Sequence, residues 1–473
     1  MVQQRIRLTL HTIGSLLKYF ALAYLFPLVA AFHYDEEWHI FLYSLLLTLG
    51  IGLLLELGFR TTKEIERGDG FSIVSFAWLA LPLLGAVPYL FLGWSFLDAF
   101  FEAMSGFSTT GATIVQIVEE LPRSVLLWRS LTQWLGGMGV ITLFVAILPR
   151  LGVGGSELFE REFPGPLPEK LHSRISRTAG LLWTIYVAFT FAEIVALYYL
   201  ARLPIFDSIC ISLCTLPTGG FAPTTASVGA YANPMAEYII IVFMLLAGTN
   251  FIIHYHLLRG NLKIIKDEEF RLYLIIVGAS ALLLTLSQGL GLYRCALFSA
   301  VSIMTTTGFA TCDFGSWSPG ARMLLMVLMF VGGCGGSTAG GIKVVRIVAL
   351  LRYSRVMTRK ALLPKAIIPV KYNQKPLPQE MIQDIISLFF LYVLVAVVAS
   401  VALGLLGLDL ETSLSAVAAT LGNVGPGLGG VGPALNYAWL PGVAKTLLII
   451  LMWLGRLELF TVFIVFLPRF WRR

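Results

Sequence analysis

Four short stretches place a glycine at the end of a small polar run: Thr109-Thr110-Gly111, Thr218-Gly219-Gly220, Thr306-Thr307-Gly308 and Asn423-Val424-Gly425. Selecting a dehydrated cation requires oxygen ligands in place of water. Rings of backbone carbonyls supply them when the chain runs extended with torsions that glycine permits. Threonine adds a hydroxyl acceptor at a strip's inner end. None of the four strips contains a carboxylate, so carbonyl selection fits better than an acidic ring. Four non-identical strips in one chain imply a pseudo-fourfold arrangement around one pore, with no tetramer required. A fifth stretch, Val331 to Lys343, holds six glycines in ten residues inside an otherwise apolar run. Each costs a helix about 1 kcal/mol against alanine. Broken backbone at membrane depth is tolerated only where protein or a water-filled cavity surrounds it, so this segment reads as cavity lining. It is a poor phosphate cradle, because Ile342 separates glycine from Lys343 and no strand precedes it.

The elements that must hold these strips are membrane helices. Of 473 residues, 57% are hydrophobic and only 13% charged, well below the charge of a soluble domain. The fold class is therefore an all-α polytopic membrane protein, and at about 20 apolar residues per span there is room for ten. The net charge of +7 does not indicate nucleic acid, since lysine and arginine gather on cytoplasmic loops. Five cysteines (Cys210, Cys214, Cys295, Cys312 and Cys334) form no Cys-x-x-Cys pair and read as buried thiols. The basic start, Met1 to Arg7, is followed by no small-residue cleavage site and reads as an uncleaved anchor.

Residues 1–70 hold two spans, Thr9 to Phe32 and Ile40 to Phe59, joined by the acidic turn Tyr34 to Trp38. A span, short helix, strip and return span then recur over 71–150, 178–260, 270–355 and 380–473. The short helices are Asp98–Phe107, Asp207–Leu216, Cys295–Met304 and Thr412–Leu421. The return spans are Ser124–Leu148, Met235–Ile253, the interrupted Ala321–Leu351, and Val443–Leu467. Basic clusters (Lys63 and Arg67; Arg150 to Arg177; Arg259 to Lys266; Arg352 to Lys375; Arg472 and Arg473) all fall on one side under ten spans, which puts both termini in the cytoplasm. Thirteen residues before each strip glycine stand Asp98, Asp207, Cys295 and Thr412, three of which are good helix N-caps. Helices of about ten residues are too short to span and suit re-entrant segments, each aiming its negative dipole end at the centre.

These units, the glycines Gly111, Gly220, Gly308 and Gly425, the run Leu135 to Gly139, Gly335 to Gly341, and Gly455-Arg456-Leu457-Glu458 together resemble the Trk/Ktr/HKT superfamily of potassium transporters. The two additional N-terminal spans make the chain similar to the TrkH type. The resemblance implies potassium uptake through a filter made of the twelve strip residues, in the bacterial inner membrane. It also implies a homodimer with one pore per subunit, a cytoplasmic TrkA-type nucleotide-binding ring as partner, and no cofactor. By the same resemblance the loop of 331–343 gates below the filter. The fourth strip departs from the pattern, with Asn423 in place of threonine and Pro426 stiffening the chain beyond it.

Arg456 lies near the middle of Val443–Leu467, and a charge at that depth marks function by default. Glu458, two residues on, points to a different helix face, while Glu193 is an alternative partner. The expected gate is Gly335, Gly336, Ser337, Thr338, Gly340 and Arg456, with the arginine's donors meeting loop carbonyls. Lys343 and Arg346 are also candidates for a pore-facing charge, with snorkelling as the alternative because they lie nearer the cytoplasmic end, and Glu102 receives no chemistry. Two other classes compete. A secondary transporter with alternating access would need halves of opposite orientation, whereas these four units all begin from the cytoplasm. An intramembrane enzyme would need paired carboxylates or a His/Glu set, which His172, His254 and His256 do not provide.

Overall fold

The computed structural model describes residues 2–62, 68–146 and 168–472. Apolar runs fold as helices because backbone groups in hydrocarbon must bond within their own segment. The chain begins with α1 (Val2–Phe20), continued by a 3-10 turn into α2 (Leu25–His33), and α3 (His39–Gly58). Four groups come next. The first is α4 (Asp69–Gly85) with α5 (Val87–Phe91), α6 (Phe96–Phe107) and α7 (Arg123–Ala146). The second is α8 (Pro168–Tyr199), α9 (Ile205–Thr215), and α10 (Pro234–Ala247) with α11 (Phe251–Leu258). The third is α12 (Glu268–Gln288), α13 (Tyr293–Met304), and α14 (Pro319–Val331) with α15 (Val344–Leu362). The fourth is α16 (Gln379–Leu405), α17 (Leu410–Leu421), α18 (Gly442–Arg456) with α19 (Phe460–Phe466), and the terminal α20 (Pro468–Arg472).

Among the described residues, six helices are long and apolar enough to cross a membrane, or eight if each of two bent pairs is one span. α7 and the interrupted α14–α15 are not among these eight; the expected ten is reached only if both are counted as spans. Two return spans expected to be continuous are not. α10 and α11 meet at 100°, and α18 and α19 at 110°. At the first break the Asn250 side chain accepts from the Ile252 N–H and starts a new helix. At the second, Glu458 and Leu459 take φ of 57° and 51°. Lys63, Arg67, Leu148, Arg150 and Arg161 lie outside the described residues.

The short helices α6, α9, α13 and α17 form a closed circuit. Each packs against its own return helix and against that of the preceding group: α9 on α7, α13 on α10, α17 on α14, and α6 on α18. Their first turns are stapled across the same contacts. Asp98 of α6 pairs with Lys445 of α18 at 2.6 Å, and Glu411 of α17 with Arg322 of α14 at 2.7 Å. Arg294 of α13 pairs with Glu237 of α10, and Arg123 of α7 lies over the Phe206 ring of α9 at 5.7 Å. Partly exposed pairs of this kind stabilise little but fix which helix neighbours which.

The expected N-caps are three residues too late in every unit. The cap positions are Ser95, Pro204, Leu292 and Asp409, and only Ser95 and Asp409 cap through their side chains. Asp98 instead stands at the third helical position, where a carboxylate also favours the positive helix end, so spacing alone did not separate the two positions. The cysteines need a second correction. Cys295 and Cys312 form a disulfide with α-carbons 6.3 Å apart, tying the start of α13 to the chain beyond its strip. Cys210, Cys214 and Cys334 are buried free thiols.

Candidate functional site: four strips and the loop beneath them

All four short helices end in one backbone motif. The N–H groups of Thr110, Gly219, Thr307 and Val424 donate to the carbonyls five residues back (Ser105, Cys214, Ser302 and Ala419) at 2.9, 2.8, 2.8 and 2.7 Å. Those of Thr109, Thr218, Thr306 and Asn423 donate to the carbonyls three back. This is the Schellman pattern, whose C′ residue is left-handed and usually glycine. Here that residue is Thr109, Thr218, Thr306 or Asn423, with φ of 53°, 56°, 58° and 53°. A β-branched residue in this region is strained by about 1–3 kcal/mol and persists only where its surroundings impose it. Among residues with a side chain asparagine is one of those that tolerate the region well, so Asn423 reproduces the conformation that the threonines hold under strain. The departure of the fourth strip lies in side-chain type and not in backbone.

Two residues on, Gly111, Gly220, Gly308 and Gly425 take φ of 82°, 82°, 82° and 102°. Their α-carbons face the neighbouring strip. A side chain on Gly111 would strike the Gly219 carbonyl, one on Gly220 that of Thr307, one on Gly308 that of Val424, and one on Gly425 that of Thr110. The ring therefore closes in chain order. Torsion and space both demand glycine. All four glycines line one open cavity, with Gln116, Arg129, Asn436 and Tyr437 in its wall.

Buried polar groups fix each strip from behind. Glu102, to which the sequence alone assigns no role, accepts from the Thr113 hydroxyl at 2.9 Å and the Ile114 N–H at 3.0 Å. It pairs with Arg129 at 2.8 Å, whose guanidinium lies 4.2 Å from the Phe221 ring centre. The Ser302 hydroxyl donates to the Phe309 carbonyl at 2.7 Å, and that of Tyr437 to the Gly425 carbonyl at 2.8 Å. The Asn423 amide donates to the Thr110 hydroxyl at 2.9 Å, joining the fourth strip to the first.

Directly beneath lies the loop of residues 332–343 between α14 and α15. The Gly340 N–H donates to the Thr306 hydroxyl at 2.8 Å, and a side chain at Gly340 would strike the Gly422 carbonyl. The Thr338 hydroxyl donates to the carbonyls of Leu216 at 2.9 Å and Ala247 at 3.2 Å. The Ser337 hydroxyl turns back onto the Cys334 carbonyl. The loop is also tied at Gly336, whose carbonyl accepts from the Phe251 N–H, and at Gly335, whose N–H donates to Glu269. Arg456 is buried at the end of α18 and donates to the carbonyls of Thr338 at 2.8 Å and Gly136 at 3.2 Å. The expected gate residues are thus brought together, and Arg456 meets carbonyls instead of Glu193 or Glu458. Lys343 and Arg346 do not snorkel. Both are buried and pair with Glu458, Lys343 at 3.0 Å. This grouping leaves one carboxylate between two cations, a buried arrangement that is costly to break.

With this geometry in view, the comparisons with known proteins decide the family. The sequence pattern of the family described as TrkH, cation transport protein, matches residues 41–288 and 262–473. The chain belongs to the TrkH family. It is 39% identical to the Trk system potassium uptake protein TrkH of Halomonas elongata over 99% of this chain and 100% of that one. It is 38% identical to the protein of the same name from Salmonella typhimurium over 97% and 98%. The crystal structure of the potassium transporter TrkH from Vibrio parahaemolyticus superposes with a TM-score of 0.90 at 36% identity, covering 99% of this chain and 100% of that chain. The relatives are named as transport proteins, so the enzymatic alternative falls.

Proposed function

We propose that the chain takes up potassium as the membrane subunit of a Trk-type system. The observation that carries this reading is the closed ring in which each strip glycine abuts the carbonyl preceding the next strip's glycine. Thr109, Thr110, Gly111, Thr218, Gly219, Gly220, Thr306, Thr307, Gly308, Asn423, Val424 and Gly425 form the filter. Its carbonyls replace the ion's water, and the four helix C-termini add their negative dipole ends at its inner mouth. Residues 1–70 precede four pore repeats at 71–150, 178–260, 270–355 and 380–473. Alternating access between inverted halves is the poorer reading, because the strips close in chain order around one axis. The protein sits in the bacterial inner membrane with both termini in the cytoplasm, as a homodimer.

Radioactive rubidium uptake into vesicles holding the purified protein tests the function. Uptake should exceed that of protein-free vesicles, fall with added potassium and persist in a large sodium excess. Equal suppression by sodium and potassium would overturn the reading.

The partner we infer is a cytoplasmic TrkA-type nucleotide-binding ring that grips α15. Arg352 is already engaged by Glu268 at 2.8 Å, which leaves Lys360 and, more exposed, Arg355 and Arg359 as the available contacts. Reversing the charges of both arginines should weaken co-purification with such a ring. Unchanged complex formation would restrict the two arginines to lipid and orientation.

A further inference from the structure

The second strip is built differently from the other three. Immediately before the strip glycine, the others carry the β-branched residues Thr110, Thr307 and Val424, whereas the second carries Gly219. Gly219 is not among the residues with positive φ, so torsion does not demand glycine there. Space does. A side chain at Gly219 would collide with the amide of Gln133, which reaches in from α7 of the preceding group and is fully buried. Gln133 Nε2 donates to the Gly219 carbonyl at 2.6 Å, and Gln133 Oε1 accepts from the Phe221 N–H at 3.1 Å. The two bonds bracket Gly220. One amide, using its carbonyl and one of its two N–H donors, occupies the volume of the missing side chain and clamps the strip's two glycines. α7 comes this close because Gly137 lets it rest on Pro217.

We propose that Gln133 is a positioning residue for ion selectivity, holding the Gly219 carbonyl at its place in the ring. This rests on the reading of the strips as a potassium filter.

The test uses the full-length protein in vesicles, reading the sodium-to-potassium competition ratio for rubidium uptake and the apparent KM for potassium, with inserted protein measured separately. Gln133→Leu removes both bonds and should lower the preference for potassium by roughly ten-fold, the size one buried hydrogen bond supports. Gln133→Glu retains the acceptor for Phe221 but loses the donor to Gly219. It should show the same loss, and it carries the test if the leucine variant fails to insert. Gly219→Thr should damage selectivity by collision. Combining it with Gln133→Ala should restore preference relative to Gly219→Thr alone, because the double variant recreates the build of the first and third strips. Parental selectivity in Gln133→Leu and Gln133→Glu, or a double variant no better than Gly219→Thr, overturns the proposal. The single serine variants of Gly111, Gly220, Gly308 and Gly425 serve as the control: if all four leave selectivity unchanged too, the filter reading has failed and not merely the role of Gln133.

Discussion

Serine in place of Gly308 should reduce the preference for potassium over sodium by about 100-fold while leaving the protein in the membrane. Two costs coincide at this position. The φ of 82° imposes about 1–3 kcal/mol on a residue with a side chain, which favours a shift of the backbone that carries the ring carbonyls. The added carbon would also strike the Val424 carbonyl and lie 2.8 Å from Pro426. Relief requires the fourth strip to retreat, which moves a ligand away from the ion. Gly111→Ser should act likewise through the Gly219 carbonyl and Gly220→Ser through that of Thr307. Gly425 has φ of 102° and is bounded by Thr110. The measurement is competition of sodium and potassium against rubidium uptake in vesicles matched for inserted protein. Unchanged ratios in all four single variants would sink the carbonyl filter.

The four strips, the order of spans and the glycine loop were legible because each leaves a local mark: apolar length, basic ends, or glycine where a helix should continue. What stayed hidden depends on contacts across the fold. Glu102, Arg129 and Gln133 look like isolated polar residues in apolar helices, and no periodicity reveals that they meet the strips from behind. The pairing of Lys343 and Arg346 with Glu458 required α18 and α19 to bend, and the bend at Glu458 and Leu459 involves neither glycine nor proline. The break at Gly248-Thr249-Asn250 did leave a signal, a glycine followed by a good cap, which the surrounding hydrophobicity outweighed. Asn423 marks the opposite case. It departs from the other strips in composition, yet its backbone preference supplies what the threonines are forced into.

Removing the loop's anchor should open the pathway. Arg456 and Thr338 form one joint: the guanidinium holds the Thr338 carbonyl while the Thr338 hydroxyl holds Leu216 and Ala247. Gly340 meanwhile bonds Thr306 at the foot of the third strip. If this segment is the gate we propose, its bulk obstructs the path, and Arg456 adds a positive charge that opposes a cation. Arg456→Ala removes the charge and two charge-assisted bonds, to the Thr338 and Gly136 carbonyls, each of about 1.5–3 kcal/mol. Basal rubidium flux without a partner should therefore rise at least ten-fold. Deleting Gly335 to Ala339 removes the obstruction, together with the Gly335 bond to Glu269, and should raise flux by a similar factor. The combined variant should exceed neither by much, since groups that belong to one barrier do not contribute independently. Additive gains would mean two separate barriers. If both variants insert normally and neither conducts more than the parent, the segment from 331 to 343 is a structural break, and the ion is stopped elsewhere along the axis.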